Sequence, residues 1–178
     1  DADGFFYRCA VENITQRNDG SYRAETVQTI CYRPSGALPE GTESPCWGSP
    51  CFLVDNDQGF LYLFSARFRT KRNCVPEGQE NAFIITKFPL PDPETGGMIH
   101  LENEDILDQF TVPSDVLFTQ GGTIANGKLY YTFGCPKGEY PLNILVFDLQ
   151  KKCLCAQVGN LTEAFEREEI ECCSFYQG

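Results

Sequence analysis

The apolar residues of the chain fall into short runs that are separated by glycine-containing turns. In two hairpins an apolar run (51–54 and 122–125) precedes a turn and a longer one (60–68 and 128–133) follows it. The second turn is Asn126-Gly127, a strong hairpin signal because both turn positions must tolerate positive φ. The next runs, 82–90 and 143–149, are apolar almost throughout. Such continuous runs are typical of strands covered on both faces, so we expect stacked sheets.

These hairpins belong to an internal repeat, which is marked by a turn glycine followed three residues later by tyrosine. The phrase occurs at 3–7, 58–62 and 126–130, and its turn residues stand again at 177–178, with glycine spacings of 55, 68 and 51 residues. We align the third runs of two units as 83–88 with 144–149. Weaker fourth strands are expected at 98–101 and 152–158, further strands at 5–11, 22–32 and 172–176, and short helices at 102–109 and 161–168. The sequence therefore predicts one domain, 1–178, with repeats at approximately 4–58, 59–126 and 127–178.

The number of strands defines the fold class that we expect. Four strands per unit are typical of a β-propeller blade, which carries roughly 40–50 residues. The chain supplies about three four-stranded antiparallel blades, whereas closed propellers need about four to eight. We therefore predict an all-β chain that is part of a larger propeller of about five to seven blades. Its open sheet edges would be covered by a second copy or by missing blades of a longer parent chain. The predicted core residues are Phe52, Leu61, Phe64, Ile84, Phe88, Ile124, Leu129, Tyr131, Leu145 and Phe147.

Four motifs stand in the second half of the chain: Gln120-Gly121-Gly122, Gly127-Lys128-Leu129-Tyr130, Val146-Phe147-Asp148-Leu149 and the closing segment 169–178. They resemble motifs of secreted β-propeller proteins of gut Bacteroidota. The resemblance extends over about residues 50–178. It implies a propeller fold and a secreted, periplasmic or cell-surface location. The closing segment departs from the family pattern, since Ile170 replaces a proline and Cys172 a glycine.

The candidate site residues stand where blades begin, because the first strand of a propeller blade lines the central channel. Gln120 would hydrogen-bond a ligand there, and Gly121 and Gly122 permit close approach of a ligand or a neighbouring strand. Glu169 and Glu171 alternate on a predicted strand, so both carboxylates face one side. Such a pair performs general acid–base chemistry on a sugar or binds a cation. The plainer interpretations are a β-bulge with a satisfied amide and the end of a solvated acidic run.

Two functions are compatible with this arrangement. The first is a secreted binding or scaffold module that holds a glycan or protein ligand at the loop face or the channel mouth. The alternative is a carbohydrate-active enzyme, a glycoside hydrolase or lyase, that uses Glu169 and Glu171. The first is favoured because the single histidine, His100, is not accompanied by a G-x-S-x-G serine elbow or by another strong catalytic constellation.

Three further features have competing interpretations. The Asp-Asn-Asp-Gln-Gly loop at 55–59 spaces oxygen atoms as a calcium loop does, but it lacks a distal glutamate and is better explained as a hairpin turn. No other cofactor is expected. The basic cluster Arg67, Arg69, Lys71 and Arg72 either clamps an acidic polysaccharide or a partner protein, or it is a solvated loop. Trp47 and Tyr140, in loops rich in glycine and proline, either stack on sugar rings or pack internally.

Composition narrows the range of partners. A net charge of −11 argues against nucleic acid, since phosphate binding requires a basic surface. No apolar run reaches the roughly 18 residues of a membrane-spanning segment. Ten cysteines with one histidine and no C-x-x-C motif favour disulfides or buried thiols over zinc. Cys46 and Cys51 are the pair best placed for a local disulfide.

Overall fold

The computed structural model describes residues 7–68, 78–116, 118–135, 140–165 and 169–175, and this part of the chain is all-β. Its strands are β1 (Tyr7–Gln16), β2 (Tyr22–Tyr32), β3 (Cys51–Asp55), β4 (Phe60–Arg67), β5 (Ala82–Pro89), β6 (Gly97–Leu101), β7 (Asp108–Pro113), β8 (Thr119–Ala125), β9 (Lys128–Cys135), β10 (Tyr140–Asp148) and β11 (Cys153–Val158). Short 3-10 helices at Pro93–Thr95 and Asn103–Asp105 precede β6 and β7.

The strands form three sheets. The first sheet has the order β1-β2-β6, the middle sheet β3-β4-β5-β7 and the third sheet β8-β9-β10-β11. The middle and third sheets are antiparallel throughout, whereas β6 runs parallel to β2. The two four-stranded antiparallel sheets agree with the prediction, but the first sheet has three strands and mixed direction.

The middle sheet is covered on both faces, as the continuous apolar runs predicted. Leu61, Leu63 and Phe88 pack with residues of the first sheet in one buried cluster. Side chains on the opposite face of β4 and β5 pack with residues of the third sheet in a second cluster. Alternate residues of one strand thus enter different cores, which is why β4 and β5 are apolar at successive positions.

Aromatic rings fill the interface between the middle and third sheets. The fully buried Phe64 stacks on Tyr131 with ring centroids 3.9 Å apart and contacts Phe147 at 5.7 Å. Eight of the ten predicted core residues are buried: Leu61, Phe64, Ile84, Phe88, Leu129, Tyr131, Leu145 and Phe147. Phe52 and Ile124 are partly buried and pack against the two clusters.

Two repeat units have the same local structure at their turns. The amide of Leu90 donates to the Gly59 carbonyl and the amide of Leu149 donates to the Gly127 carbonyl, each at 3.1 Å. Asn126 and Gly127 both have positive φ, as the hairpin prediction required. The alignment of 83–88 with 144–149 was wrong by two residues. Cross-strand pairing makes 88 equivalent to 147, since these positions pair with 61 and 129, each two residues after the turn glycine.

Several predicted elements differ from the structure. The strand expected at 98–101 forms as β6, but it joins the first sheet, and β7 is the fourth strand of the middle sheet. The helix predicted at 102–109 is replaced by the 3-10 helix Asn103–Asp105 and the start of β7. Residues 162–165 form a turn and 171–175 pair with no strand ladder. The repeat phrases at 3–6 and 177–178 lie outside the described residues.

Candidate functional site

β8 contains the predicted β-bulge. Between the pairs 119/133 and 122/131, Gln120 and Gly121 together oppose Thr132 alone. The buried Thr132 hydroxyl donates to the Gly121 carbonyl at 2.7 Å and accepts from the Gly121 amide at 3.3 Å. A side chain therefore replaces the backbone hydrogen bonds that the bulge interrupts.

The Gln120 side chain contacts one of the predicted carboxylates. Its amide nitrogen donates to the Gly134 carbonyl at 3.2 Å and to Glu169 Oε2 at 3.3 Å. The Cys135 thiol donates to the other oxygen of Glu169 at 3.1 Å. Sequence reasoning placed Gln120 and Glu169 at equivalent positions of successive units, and the structure brings them into direct contact.

Gly121 and Gly122 allow close packing of protein backbone. A Cβ atom at Gly121 would lie 2.6 Å from the Glu171 carbonyl oxygen, and one at Gly122 would lie 2.3 Å from the Tyr130 carbonyl oxygen. The close approach that was predicted for a ligand or a neighbouring strand is therefore made by residues of this chain. Larger side chains are excluded from both positions.

The segment 169–175 lies along the face of the third sheet that is turned away from the middle sheet. The thiols of Cys172 and Cys173 donate to the carbonyls of Gly122 and Tyr130, each at 3.6 Å. The Phe175 ring meets the Tyr130 ring edge to face with centroids 4.7 Å apart. Glu169 and Glu171 are exposed. The segment thus contacts β8 and β9 without forming a strand ladder.

Thiols from distant parts of the chain lie within electrostatic range of one another beside the first strands of the sheets. Burial raises the pKa of Cys51, and the nearby Cys172 raises it further, while a hydrogen bond with Tyr131 opposes the shift. Burial likewise raises the pKa of Cys9, which is close enough to Cys51 for their charges to interact. The Tyr131 hydroxyl donates to the Gln120 carbonyl at 3.1 Å. Burial raises the pKa of Tyr131 strongly, so this hydroxyl stays protonated.

The proposed Cys46–Cys51 disulfide is absent. Both residues carry free thiols, and burial raises the pKa of Cys46 to about 12. Free thiols are also found at Cys9, Cys135, Cys153, Cys155, Cys172 and Cys173. Buried thiols were one of the two interpretations left open by the cysteine count.

Of the candidate metal and catalytic residues, Asp55 stabilises its own turn and His100 is exposed to solvent. Asp55 is 5% exposed, and its carboxylate accepts a hydrogen bond of 3.2 Å from the Gln58 amide within the turn. His100 is exposed on β6. Within the described ranges, no group of three or more His, Cys, Asp or Glu side chains is arranged to hold a metal ion.

Arg67, the first member of the basic cluster, is not available as a surface clamp for a ligand. The Arg67 side chain is only 9% exposed, forms an ion pair with Glu43 and donates to the Glu80 carbonyl at 3.0 Å. The other members, Arg69, Lys71 and Arg72, lie outside the described residues.

The indole nitrogen of Trp47 is buried without a hydrogen-bond partner in the described structure, and Tyr140 is described for its backbone only.

A groove of about 510 Å³ opens between the middle and third sheets at their turn-bearing end. One wall is formed by Phe60, Tyr62 and Lys87 of the middle sheet. Tyr62 and Lys87 are cross-strand partners, so their side chains share one face. The opposite wall consists of the two turns of the third sheet, with Asn126, Gly127, Leu149 and Gln150. Binding sites for small ligands are typically about 300–1,000 Å³, so the groove is large enough.

The groove contains polar side chains that are not committed to other protein groups. Within the described chain, the side chains of Gln58, Tyr62, Asn126 and Gln150 make no hydrogen bond to the protein. Burial and the nearby Asp55 and Asp108 raise the pKa of Tyr62 to about 12, so its hydroxyl stays protonated at neutral pH.

Sequence reasoning did not find this groove as a site. Its residues come from the turns of two repeat units and from the end of β5, and no motif unites them. One signal was present: the turn phrases at 58–62 and 126–130 occupy equivalent positions in the repeat. Stacked sheets bring equivalent turns side by side, so a groove between them could have been inferred.

No protein-family model matches the chain, and no curated protein matches it in sequence. Among the described residues, no helix has the length and apolar character needed to cross a membrane.

Proposed function

We propose that the chain is part of a secreted β-propeller and that it is a binding module for a saccharide. The observation that carries the proposal is the groove between the middle and third sheets. It combines an apolar lining from Phe60 and Leu149 with amide and hydroxyl groups that lack protein partners among the described residues. Such groups match the many hydroxyls of a saccharide.

The propeller assignment is supported by how the sheets approach one another. Between strands of different sheets, the described residues approach most extensively at β3 and β8, the first strands of the middle and third sheets. Cys9 of β1 lies near Cys51 of β3, and Cys51 lies near Cys172. First strands that lie side by side, with later strands further apart, are expected of blades arranged around an axis.

Completion of the ring is a separate proposal. It is supported by the contacts that the segment 169–175 makes with β8 and β9, since they show that further chain can pack on that face of the third sheet. The remaining positions are filled either by a second copy of this chain or by further blades of a longer parent. Sedimentation velocity distinguishes the two, because a strictly monomeric species over a wide concentration range eliminates the second copy.

The alternative function is a carbohydrate-active enzyme that uses Glu169 and Glu171. One observation favours it, since Gln120 and Cys135 each engage one oxygen of Glu169 and thereby orient its carboxylate. Both glutamates are exposed, however, whereas the general acid of a glycosidase is normally shielded from water. The binding function is therefore preferred.

A glycan array of neutral and acidic oligosaccharides, followed by calorimetry on the ligands found, tests the binding function. The double variant Gln58→Ala/Gln150→Ala removes two exposed side-chain amides from the groove without changing the positive-φ turn at Asn126, and it should weaken binding about tenfold or more. Asn13→Ala/Gln16→Ala, two exposed positions on β1, is the matched control and should bind normally. Binding to no saccharide, or equal binding by both double variants, would refute the proposal.

The enzyme alternative is tested on the same ligands. Chromatography of the saccharides after prolonged incubation would reveal cleavage products. Turnover that is lost in Glu169→Gln or Glu171→Gln would replace the binding function by the catalytic one. Saccharide binding without products would eliminate the catalytic one.

A further inference from the structure

We infer that the groove selects an acidic saccharide and that Lys87 binds its carboxylate. The inference deepens the saccharide-binding function proposed above and rests on it. The ligand class is an oligosaccharide with uronic acid units, whose carboxylate would accept hydrogen bonds from the Lys87 ammonium and the neighbouring Tyr62 hydroxyl.

The first observation concerns the charge of Lys87. Its ammonium nitrogen lies 3.3 Å from the centroid of the Phe60 ring. In the part of the chain that the structure describes, no carboxylate forms an ion pair with it. The ring attracts the cation without neutralising it, so Lys87 retains its full charge for a ligand anion.

The second observation concerns the neighbouring carboxylate that would otherwise pair with Lys87. Asp108 is the cross-strand partner of Lys87 on β7. Its oxygen is instead bound at 2.8 Å by Lys152, which lies in the turn of the third sheet. The same ion pair joins the two sheets beside the groove. Asp108 is the acidic residue among the direct cross-strand partners of Lys87 in β4 and β7, and Lys152 offsets its charge. Asp55, which also lies near the Tyr62 hydroxyl, is only 5% exposed and accepts a hydrogen bond from the Gln58 backbone amide.

The third observation is the position of Tyr62. It pairs with Lys87 across β4 and β5, so the hydroxyl and the ammonium project from the same face. The hydroxyl has no hydrogen-bond partner within the described residues. Two adjacent donors match the two oxygens of one carboxylate, and hydrogen bonds to charged groups are stronger than those between neutral ones.

The test uses two ligands that differ in charge and by one methyl group on each carboxyl: an oligogalacturonate and its methyl ester. Lys87→Met removes the ammonium but keeps most of the apolar stem, and Lys87→Arg restores the charge. Lys151→Met removes the same charge from an exposed position of the adjacent turn that does not line the groove. It controls for general electrostatic attraction.

Calorimetry should show that the wild-type protein binds the acid roughly tenfold or more tightly than the ester. Lys87→Met should remove this preference, Lys87→Arg should retain part of it and Lys151→Met should leave it within about twofold. Equal affinity for acid and ester, or an equal loss for both in Lys87→Met, would overturn the role of Lys87 while saccharide binding stands. Failure of the wild-type protein to bind any saccharide would instead refute the proposed function itself.

Discussion

Replacement of Gly121 by alanine should loosen the segment 169–175 from the third sheet. The new Cβ atom would lie 2.6 Å from the Glu171 carbonyl oxygen, well inside the distance at which real Cβ atoms are found. Either the bulge in β8 or the segment must move. Because the bulge is held by the buried Thr132 hydroxyl and lies within a paired strand, the segment is the part that gives way.

The magnitude follows from two opposing effects. Overpacking of a close contact costs about 1–3 kcal/mol, whereas the lower entropy of alanine in the unfolded chain returns about 0.4–1 kcal/mol. A net loss of about 1.5 kcal/mol corresponds to a fall in Tm of about 3–6 °C for a chain of this length. The edge-to-face contact of Tyr130 with Phe175 is worth about 0.5–1.5 kcal/mol, so the clash is comparable with this one of the contacts that hold the segment.

Differential scanning calorimetry measures the loss, and hydrogen exchange of peptides spanning 169–175 locates it. Gly159→Ala is the matched control, because no atom lies within 4 Å of its added Cβ atom. Its Tm should equal or exceed that of the wild-type protein. The reasoning fails if Gly121→Ala is as stable as Gly159→Ala and the exchange of 169–175 is unchanged.

Three further predictions concern the core, the buried ion pair and the thiols. Phe64→Ala removes a fully buried ring from the interface of the middle and third sheets and should cost about 3–5 kcal/mol in urea unfolding; a loss below about 1 kcal/mol would contradict the packing. Arg67→Met leaves Glu43 without its partner and should cost about 2–3 kcal/mol, somewhat less than for a fully buried pair, whereas Arg67→Met/Glu43→Gln should recover part of the loss. Losses that simply add in this double-mutant cycle would show that the pair is not coupled. Because burial raises the pKa of Cys46 from 9.0 to about 12, the unfolded chain loses this proton first, and unfolding free energy should fall as pH rises from 9 to 12. Cys46→Ala should reduce that fall in urea titrations at several pH values and the exposed Cys155→Ala should not; equal slopes would contradict the assignment.

The hairpins could be predicted because their signals are local. Asn126-Gly127 forms the expected turn since both residues adopt positive φ at low cost. Register between the repeats could not be read in the same way. The alignment of 83–88 with 144–149 was wrong by two residues, and a shift of two leaves every side chain on the same face of a strand. Only the cross-strand pairing distinguishes the two alignments.

The sheet that β6 joins is a second feature that could not be predicted from the sequence. The strand itself was predicted, but its partner is β2, more than sixty residues earlier, instead of the neighbouring strand of its own unit. Short apolar strands carry no signal for the edge on which they pair. The edge on which β6 pairs depends on the path of the segment that connects β5 and β7. This segment packs on the first sheet, and its residues Leu101 and Ile106 join the buried cluster.

The candidate site likewise has one part that could be predicted from the sequence and one part that could not. Repeat phase alone placed Gln120 and Glu169 at related positions, and their side chains are 3.3 Å apart. The groove was not predicted, because Lys87 belongs to no recognisable sequence motif. The importance of Lys87 comes from its contact with the Phe60 ring and from the ion pair that Lys152 makes with Asp108.

The all-β class, the positions of the hairpin turns and most of the core residues could be predicted from the sequence, because they depend on local conformational preference and on alternation along each strand. The sheet that each weak strand joins, the grouping of the thiols and the position of the groove are set by the packing of the sheets. Those outcomes depend on contacts between residues far apart in the chain. A pattern with a period of two residues specifies the face on which a side chain lies, but it does not specify the neighbour that covers that face.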